Sequence, residues 1–322
     1  MTSSPFTVVV VSYGSHALIA DTLTRTLEHA PGARAVVVDN ATTADERRAV
    51  QELATARGWS LVLPDTNLGF GGGMNRGVRR AFDEGAERVL LLNPDAYVVP
   101  GGLDLLGAAL DREPMTMVAP VIRRPDGSRF SGGLTRLLLR DGTMRGASRY
   151  DAAVDGEAVE WLSGACLALT RELWEAAGGF DERYFLYWED VDLSRRVLGA
   201  GGRLGVVPDA AAVHDEGGTH DDRPGAGRAK SATYLYHNAR NRLLYAAVWL
   251  DEPTRRRWGR TTPRATWALL RQGGRRPLVT SLEPWVAVVR GVRDGRRLAR
   301  RVRGGTGGGS GVGAPTPERV HD

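Results

Sequence analysis

Four short apolar runs, each ending at polar residues and separated by amphipathic stretches, limit what this chain can fold into. The runs occupy residues 7–12 (TVVVVS), 35–39, 60–64 and 88–92, and the stretches between them residues 18–29, 43–57 and 75–84. Runs that are apolar at every position need cover on both faces, and the intervening segments have the spacing of helices. This βαβαβαβ rhythm predicts an α/β fold, a mostly parallel sheet with helices on both sides. Such sheets bind ligands beyond the C-terminal ends of their strands. Ser12-Tyr13-Gly14, Asp39-Asn40, the loop 67–73 and Asn93-Pro94-Asp95 all fall at such ends.

The pattern then loosens. A helix is expected after Pro100 and a strand over 117–123. Residues 124–158, rich in Gly, Arg and Asp, read as a long loop or hairpin beside an acceptor site. A strand over 161–170, a helix over 171–177, strands over 203–207 and 211–214, and a helix over 231–250 follow. Residues 215–229 have the composition of a loop that orders on ligand binding. Beyond 250, helical fragments are expected between Pro263, Gly273-Gly274, Pro277 and Pro284, and the Gly-rich 304–322 read as disordered. The domains are accordingly 1–225 (catalytic), 226–303 (basic helical extension) and 304–322 (tail).

With 322 residues, 42% of them hydrophobic and 25% charged, the chain has the balance of a globular protein. Cys166 is the single cysteine, so no internal disulfide is available, which fits a reducing compartment. No secretory signal and no membrane-spanning run is visible. The net charge of +5 conceals an asymmetry: residues 251–303 carry 15 Arg against 4 acidic residues, +11, leaving −6 for the rest.

The segment Gly179 to Arg196 sets Glu189, Asp190 and Asp192 directly after Tyr184, Phe185, Tyr187 and Trp188. Acidic residues favour the first turn of a helix, and Asp192 is placed to pair with Arg196 at i+4. That accounts for Asp192 better than for its neighbours. A carboxylate beside aromatic walls is partly desolvated and becomes a stronger base. Asp190 is the expected catalytic base, Glu189 its neighbour, and Trp161, Tyr187 and Trp188 the expected acceptor-binding residues.

At the strand ends, Asp39 can accept from a nucleobase N–H or ribose hydroxyls, or serve a turn. Asn67-Leu-Gly69-Phe70-Gly71-Gly-Gly-Met-Asn75 is a glycine-rich loop entering a helix. It suits either phosphate binding through backbone amides or tight packing. Asn93 and Asp95 stand at the end of the fourth run, where a carboxylate suits Mg²⁺ or Mn²⁺ bridged to a diphosphate. His214 closes a later strand, where a lone imidazole can serve structure, ligate a metal or donate to a phosphate. Donor binding is expected from Ser12, Tyr13, Asp39, Asn67, Gly69, Phe70, Gly71, Asn75, Asn93 and Asp95, and a divalent cation at Asp95 and His214.

In their order along residues 7–242, these motifs resemble glycosyltransferase family 2, in particular its bacterial rhamnosyltransferase-like members. The matching pieces are Val8 to Tyr13, Val37 to Asn40, Asn67 to Gly77, Leu92 to Ala96, Trp161 to Cys166 and Gly179 to Leu193. The resemblance implies a GT-A fold, a nucleotide-diphosphate sugar donor (thymidine-diphosphate rhamnose for the subgroup), a divalent metal and an inverting displacement. It further implies a glycan or polyprenyl-linked glycan acceptor in cell-envelope synthesis, and a cytoplasmic enzyme at the inner membrane face. Asp190 matches the family's base, whereas Asn93-Pro-Asp95 lacks the first carboxylate of the usual DxD metal motif.

Two other classes share some of these features. A sugar-1-phosphate nucleotidyltransferase would need a GxGxRL-type loop after the first strand, and Val11 to His16 offers none. A nucleic-acid binder using the arginine-rich region leaves the acidic body and Asp190 without a role. That region also carries Trp249, Trp258, Trp267 and Trp285, the composition of a segment lying on an anionic membrane surface or making an oligomer contact.

Overall fold

The computed structural model describes residues 5–131, 134–215, 230–274 and 276–305, arranged as two compact units. The first unit holds residues 1–139 and 143–227, the second 140–142 and 228–322.

In the first unit the elements run β1 (Thr7–Ser12), α1 (His16–Glu28), β2 (Arg34–Asp39), α2 (Ala44–Arg57), β3 (Ser60–Val62), α3 (Gly69–Asp83), β4 (Arg88–Leu92), β5 (Ala96–Val98) and α4 (Gly102–Arg112). They continue as β6 (Thr116–Arg123), β7 (Arg129–Ser131), β8 (Thr135–Leu138), β9 (Met144–Gly146), α5 (Ala152–Asp155), β10 (Ala158–Trp161), β11 (Cys166–Thr170), α6 (Arg171–Ala177), α7 (Glu189–Gly199) and β12 (Arg203–His214). The main sheet has the order β3-β2-β1-β4-β11-β6-β12-β5, with β7 paired to β6; β10-β8-β9 form a second sheet. β3, β2, β1 and β4 are parallel as the rhythm predicts, while β11 inserts antiparallel between β4 and β6.

Alternation along the valine runs builds a core on each face of the sheet. Val9, Val11, Val36, Val38 and Leu91 join one cluster with Met74 and Val78 of α3. Val8, Val10, Val37, Leu90 and Leu92 join the other with Ile19 and Leu23 of α1 and Leu106 of α4. α3 approaches the sheet closely because Gly77 carries no side chain. A Cβ there would lie 2.4 Å from Val9 Cγ1 and 2.9 Å from Val38 Cγ2.

Several elements differ from the expectations of the sequence. α3 begins at Gly69, not at residue 75, so the glycine-rich segment is itself helical. The 161–170 strand is two strands, β10 and β11, separated by a turn that the active site uses. Residues 124–158 contain a hairpin, β8 and β9 paired antiparallel, together with β7 and α5. Most of the expected loop 215–229 and of the tail lies outside the described residues.

The second unit comprises α8 (Ala232–Trp249), α9 (Glu252–Gln272), α10 (Arg276–Thr280) and α11 (Glu283–Gly305). α9 runs unbroken through Pro263. Trp258 and Thr262 on one side of the proline and Leu270 on the other are buried, so packing holds the helix where local propensity would end it.

Candidate active site

The parallel register sets Ser12 beside Asp39 at the C-terminal edge of β1 and β2, with Leu92, the residue before Asn93, beside Val10. Asp39 is fully buried. Its Oδ2 accepts a 2.7 Å hydrogen bond from Arg47 Nε, and Arg47 Nη2 donates to the Pro64 carbonyl at 2.5 Å. Asp39 Oδ1 is buried without a hydrogen-bond partner. A buried carboxylate oxygen left open at a strand end is the arrangement expected of a group awaiting an external N–H or O–H. Tyr13 stands 57% exposed at the same edge, and Ser12 Oγ lies 3.0 Å from Ser15 Oγ.

Asn40 ties this edge to the start of α3. Its Nδ2 donates to Asn67 Oδ1 (2.9 Å) and to the Gly69 carbonyl (3.0 Å), and its Oδ1 accepts from Leu68 N (2.9 Å). Gly69 sits at φ 75°, and a Cβ there would lie 2.3 Å from the Phe185 carbonyl oxygen. That carbonyl accepts from Phe70 N at 2.7 Å. Gly71 lies against Phe180, and Asn75 holds the same residue in both directions: Nδ2 donates to Phe180 O (2.9 Å) and Oδ1 accepts from Phe180 N (3.0 Å). Gly69, Phe70, Gly71 and Asn75 are thus engaged with the 180–185 segment, while Asn67 Oδ1 accepts from Asn40 Nδ2 and Gly69 N, and close packing accounts for the glycines.

At the end of β4, His214 Nε2 lies 3.1 Å from Asp95 Oδ1 and 3.4 Å from Asn93 Nδ2. Both Asp95 and His214 are buried. β12 delivers the histidine by pairing His214 with Ala96 of β5. No group of three or more His, Cys, Asp or Glu among the described residues forms a metal cluster. The carboxylate and imidazole converge closely enough to supply two ligands to a cation whose remaining positions are filled from a diphosphate. The residues present fit a substrate-completed metal site.

Asp190 occupies the first turn of α7 and is held through both oxygens. Oδ2 accepts from Gly164 N at 3.0 Å and Oδ1 from Val191 N at 2.8 Å. Gly164 belongs to the turn between β10 and β11, and a Cβ on it would stand 3.3 Å from Asp190 Cβ. Ser194 locks the same turn to the helix: its Oγ donates to Asp190 O (2.8 Å) and accepts from Leu162 N (3.2 Å). Desolvation pushes the Asp190 carboxyl above the usual aspartate range, against the pull of the Gly164 and Val191 amides. Glu189 is buried, its Oε2 has no hydrogen-bond partner, and burial followed by the Asp190 charge pushes it up.

The turn leading into α7 is strained. Phe185, Tyr187 and Trp188 have φ of 61°, 64° and 74°, the region that non-glycine residues avoid at a cost of about 1–3 kcal/mol each. Tyr187 is half-buried and Trp188 buried as the residue before the helix. Arg183 and Arg196 brace the turn on Asp181, and Arg196 Nε also donates to Asp192 at 2.6 Å, the i+4 pair expected from the spacing. Trp161 is half-buried, and its Nε1 is enclosed without a partner.

Sequence reasoning misses Arg47, Gly164 and Ser194 as orienting residues. Ser194, four residues after Asp190 on one helix, carries a detectable signal. Arg47 and Gly164 do not, because their partners meet them only across the sheet edge.

The chain matches the family described as glycosyltransferase like family 2 over residues 4–276. It belongs to that family. Among characterised relatives, the N-acetylglucosaminyl-diphospho-decaprenol L-rhamnosyltransferase of Mycobacterium tuberculosis H37Rv is 33% identical over 228 residues, 62% of this chain and 73% of the relative. The structure of S. aureus TarS superposes with a TM-score of 0.55 at 16% identity, covering 93% of this chain and 50% of that one. This chain therefore spans half the length of that TarS structure. The mannosyltransferase PcManGT from Pyrobaculum calidifontis, solved with GDP-Man and Mn²⁺, superposes with a TM-score of 0.50 at 19% identity, covering 93% and 88%. The fold is the GT-A arrangement of glycosyltransferases.

Proposed function

We propose that this glycosyltransferase moves L-rhamnose from thymidine-diphosphate rhamnose to a hydroxyl of a polyprenyl-diphosphate-linked glycan, at the inner face of the cell membrane, with inversion at the anomeric carbon. The name of the mycobacterial relative supports the sugar and the lipid-linked acceptor. The observation that carries the chemistry is Asp190: a desolvated carboxylate whose direction is fixed by the Gly164 and Val191 amides, with lone pairs left for an acceptor hydroxyl.

In one displacement, the acceptor O–H gives its proton to Asp190 and the freed oxygen forms a bond to the anomeric carbon. The bond from that carbon to the diphosphate oxygen breaks, and its electrons leave with the nucleotide. Asp39 Oδ1, with Arg47 holding the other oxygen, receives an N–H or O–H of the nucleoside, and Tyr13 lies at the same edge. Asp95 and His214 would hold a divalent cation beside the diphosphate, and its charge would stabilise the leaving group. The mannosyltransferase solved with Mn²⁺ is the structural relative that supports a cation here. The aromatic side chains of Trp161, Tyr187 and Trp188 remain the proposed acceptor wall.

The test is transfer by the purified chain from thymidine-diphosphate rhamnose to a short prenyl-diphosphate-N-acetylglucosamine, read by mass spectrometry. UDP-glucose and GDP-mannose serve as alternative donors, and EDTA followed by Mn²⁺ addition as the metal arm. Rhamnosylated product lost in EDTA and in Asp190→Asn is the expected result. Product from another donor only would move the sugar assignment, and near-normal turnover by Asp190→Asn would remove Asp190 as the base.

A further inference from the structure

The second unit has one apolar face more than its own packing uses. Ala287 and Val288 of α11 are buried with Leu235 and Leu270, and Gly291 and Gly295 let α11 lie directly on the backbone of α8 at Tyr236 and Arg240. An ordinary surface helix has one such stripe and turns polar side chains outward. The opposite side of α11 instead exposes Trp285 (37%), Val286 (51%) and Val289 (66%), and Leu282 (78%), just before the helix, continues the same three- and four-residue spacing. Val279 of α10 is 84% exposed and Trp267 of α9 48% exposed, and the Trp267 ring centroid lies 6.0 Å from that of Trp285. Six large apolar side chains gathered on one unit and turned to solvent mark an interaction surface, not scattered exposure.

The charge beside that face selects its partner. Continued at helical spacing from Val289, the exposed stripe becomes Arg293, Arg296, Arg297 and Arg300. Residues 276–305 hold 8 Arg against Glu283 and Asp294, a net of +6. Arg296, Arg300 and Arg301 form no ion pair among the described residues. Among the described residues no helix is long and apolar enough to cross a membrane, so an apolar stripe on this unit can lie on a bilayer but not traverse it. Tryptophan, apolar in its ring and polar at its N–H, suits the headgroup boundary.

We propose that this face of α9 to α11 docks on an anionic lipid bilayer, the apolar side chains entering the headgroup layer and the arginines meeting lipid phosphates. Duplex nucleic acid would satisfy the arginines but would give Val279, Leu282 and Val289 nothing to be buried against. A second copy would cover the apolar stripe at the cost of facing one basic surface with another.

The experiment is flotation of the full chain with vesicles of phosphatidylcholine alone or of equal parts phosphatidylcholine and phosphatidylglycerol, at low and high salt. It is repeated with the triple variant Leu282→Ser, Val286→Ser, Val289→Ser and with Arg296→Ala, Arg300→Ala. These positions are exposed, and circular dichroism and thermal unfolding check that each variant keeps its helices. Wild type should float with the anionic vesicles and be released by salt. The arginine pair should weaken binding about 25-fold, about fivefold per charge, and the serine variant should abolish flotation. Equal flotation of wild type and the serine variant overturns the proposal, as does equal binding to the two vesicle types. Light scattering that finds a dimer dissolved by the serine variant, without vesicle binding, assigns the face to a second copy. Salt-sensitive binding to random duplex DNA without vesicle binding assigns it to nucleic acid.

Discussion

The two units bury charges of opposite sign and meet them to different extents. In the first, Asp39 and Glu189 are enclosed with one carboxylate oxygen each left without a hydrogen bond. In the second, Arg242 on α8 is enclosed with both terminal nitrogens hydrogen-bonded and only its Nε left without a partner. Nη1 donates to Trp258 O (3.1 Å) and Thr262 Oγ1 (3.3 Å), and Nη2 to Asp141 O (2.6 Å) and Thr261 Oγ1 (3.0 Å). The guanidinium also lies 4.7 Å over the Trp258 ring. Burial still pulls Arg242 down to about 10, against the opposing charge of Asp141. Four hydrogen bonds to protein groups tie Arg242 into the packing of its own unit, whereas a buried carboxylate oxygen with open lone pairs at a strand end or first helical turn can still accept from outside.

That contrast breaks first at Asp190. Asp190→Asn keeps the shape and removes the base, so kcat should fall by about 10²–10⁴-fold with donor affinity unchanged, measured by initial rates and by calorimetric titration of the donor. Loss of donor affinity in parallel would place the residue in binding. The counterpart in the second unit is Arg242→Ala, which removes the donor to the Asp141 carbonyl and leaves a void. It should cost about 3 kcal/mol in urea unfolding while the transfer rate of the protein still folded stays as in wild type. An unchanged unfolding midpoint would show that these hydrogen bonds contribute nothing.

Arg47 sharpens the comparison, because it satisfies one oxygen of a carboxylate whose other oxygen stays open. Arg47→Ala should raise the donor Kd by about tenfold, roughly one charge-assisted hydrogen bond, with kcat retained. A pH-dependent effect concerns Glu189, whose folded pKa is raised to about 8 by burial and then by the Asp190 charge. A raised folded value means that the contribution to stability is full below the unfolded carboxyl range and is lost as pH rises through the folded value. Wild type should therefore lose stability between pH 5 and 8 relative to Glu189→Gln, by at most about 1.4 kcal/mol per pH unit. Parallel curves for the two proteins would show that Glu189 does not titrate in that window.

Much of the first unit is legible in the residue pattern. The valine runs name the strands because a doubly covered strand must be apolar throughout, and polar residues at their ends name Asp39, Asn93 and Asp95. The i+4 pair of Asp192 and Arg196 is readable for the same local reason. The glycine-rich segment is ambiguous, since phosphate cradle and tight packing ask for the same residue. Only Val9, Val38 and Phe185 standing against α3 decide for packing. The break expected at Pro263 fails because buried neighbours on both sides of it outweigh the lost hydrogen bond.

What the sequence alone determined is whatever follows from periods of two and 3.6: the strands of the parallel half, the edge at which ligands meet them, and Asp190 in an acidic first turn. What tertiary structure decided are the partners that come from far along the chain. Asn75 grips Phe180 from 105 residues away, Gly164 fixes Asp190 from 26, and α11 shows two apolar faces only once α8 has covered one of them. A local pattern fixes which way a side chain points, but it holds no record of what another segment will bring to meet it.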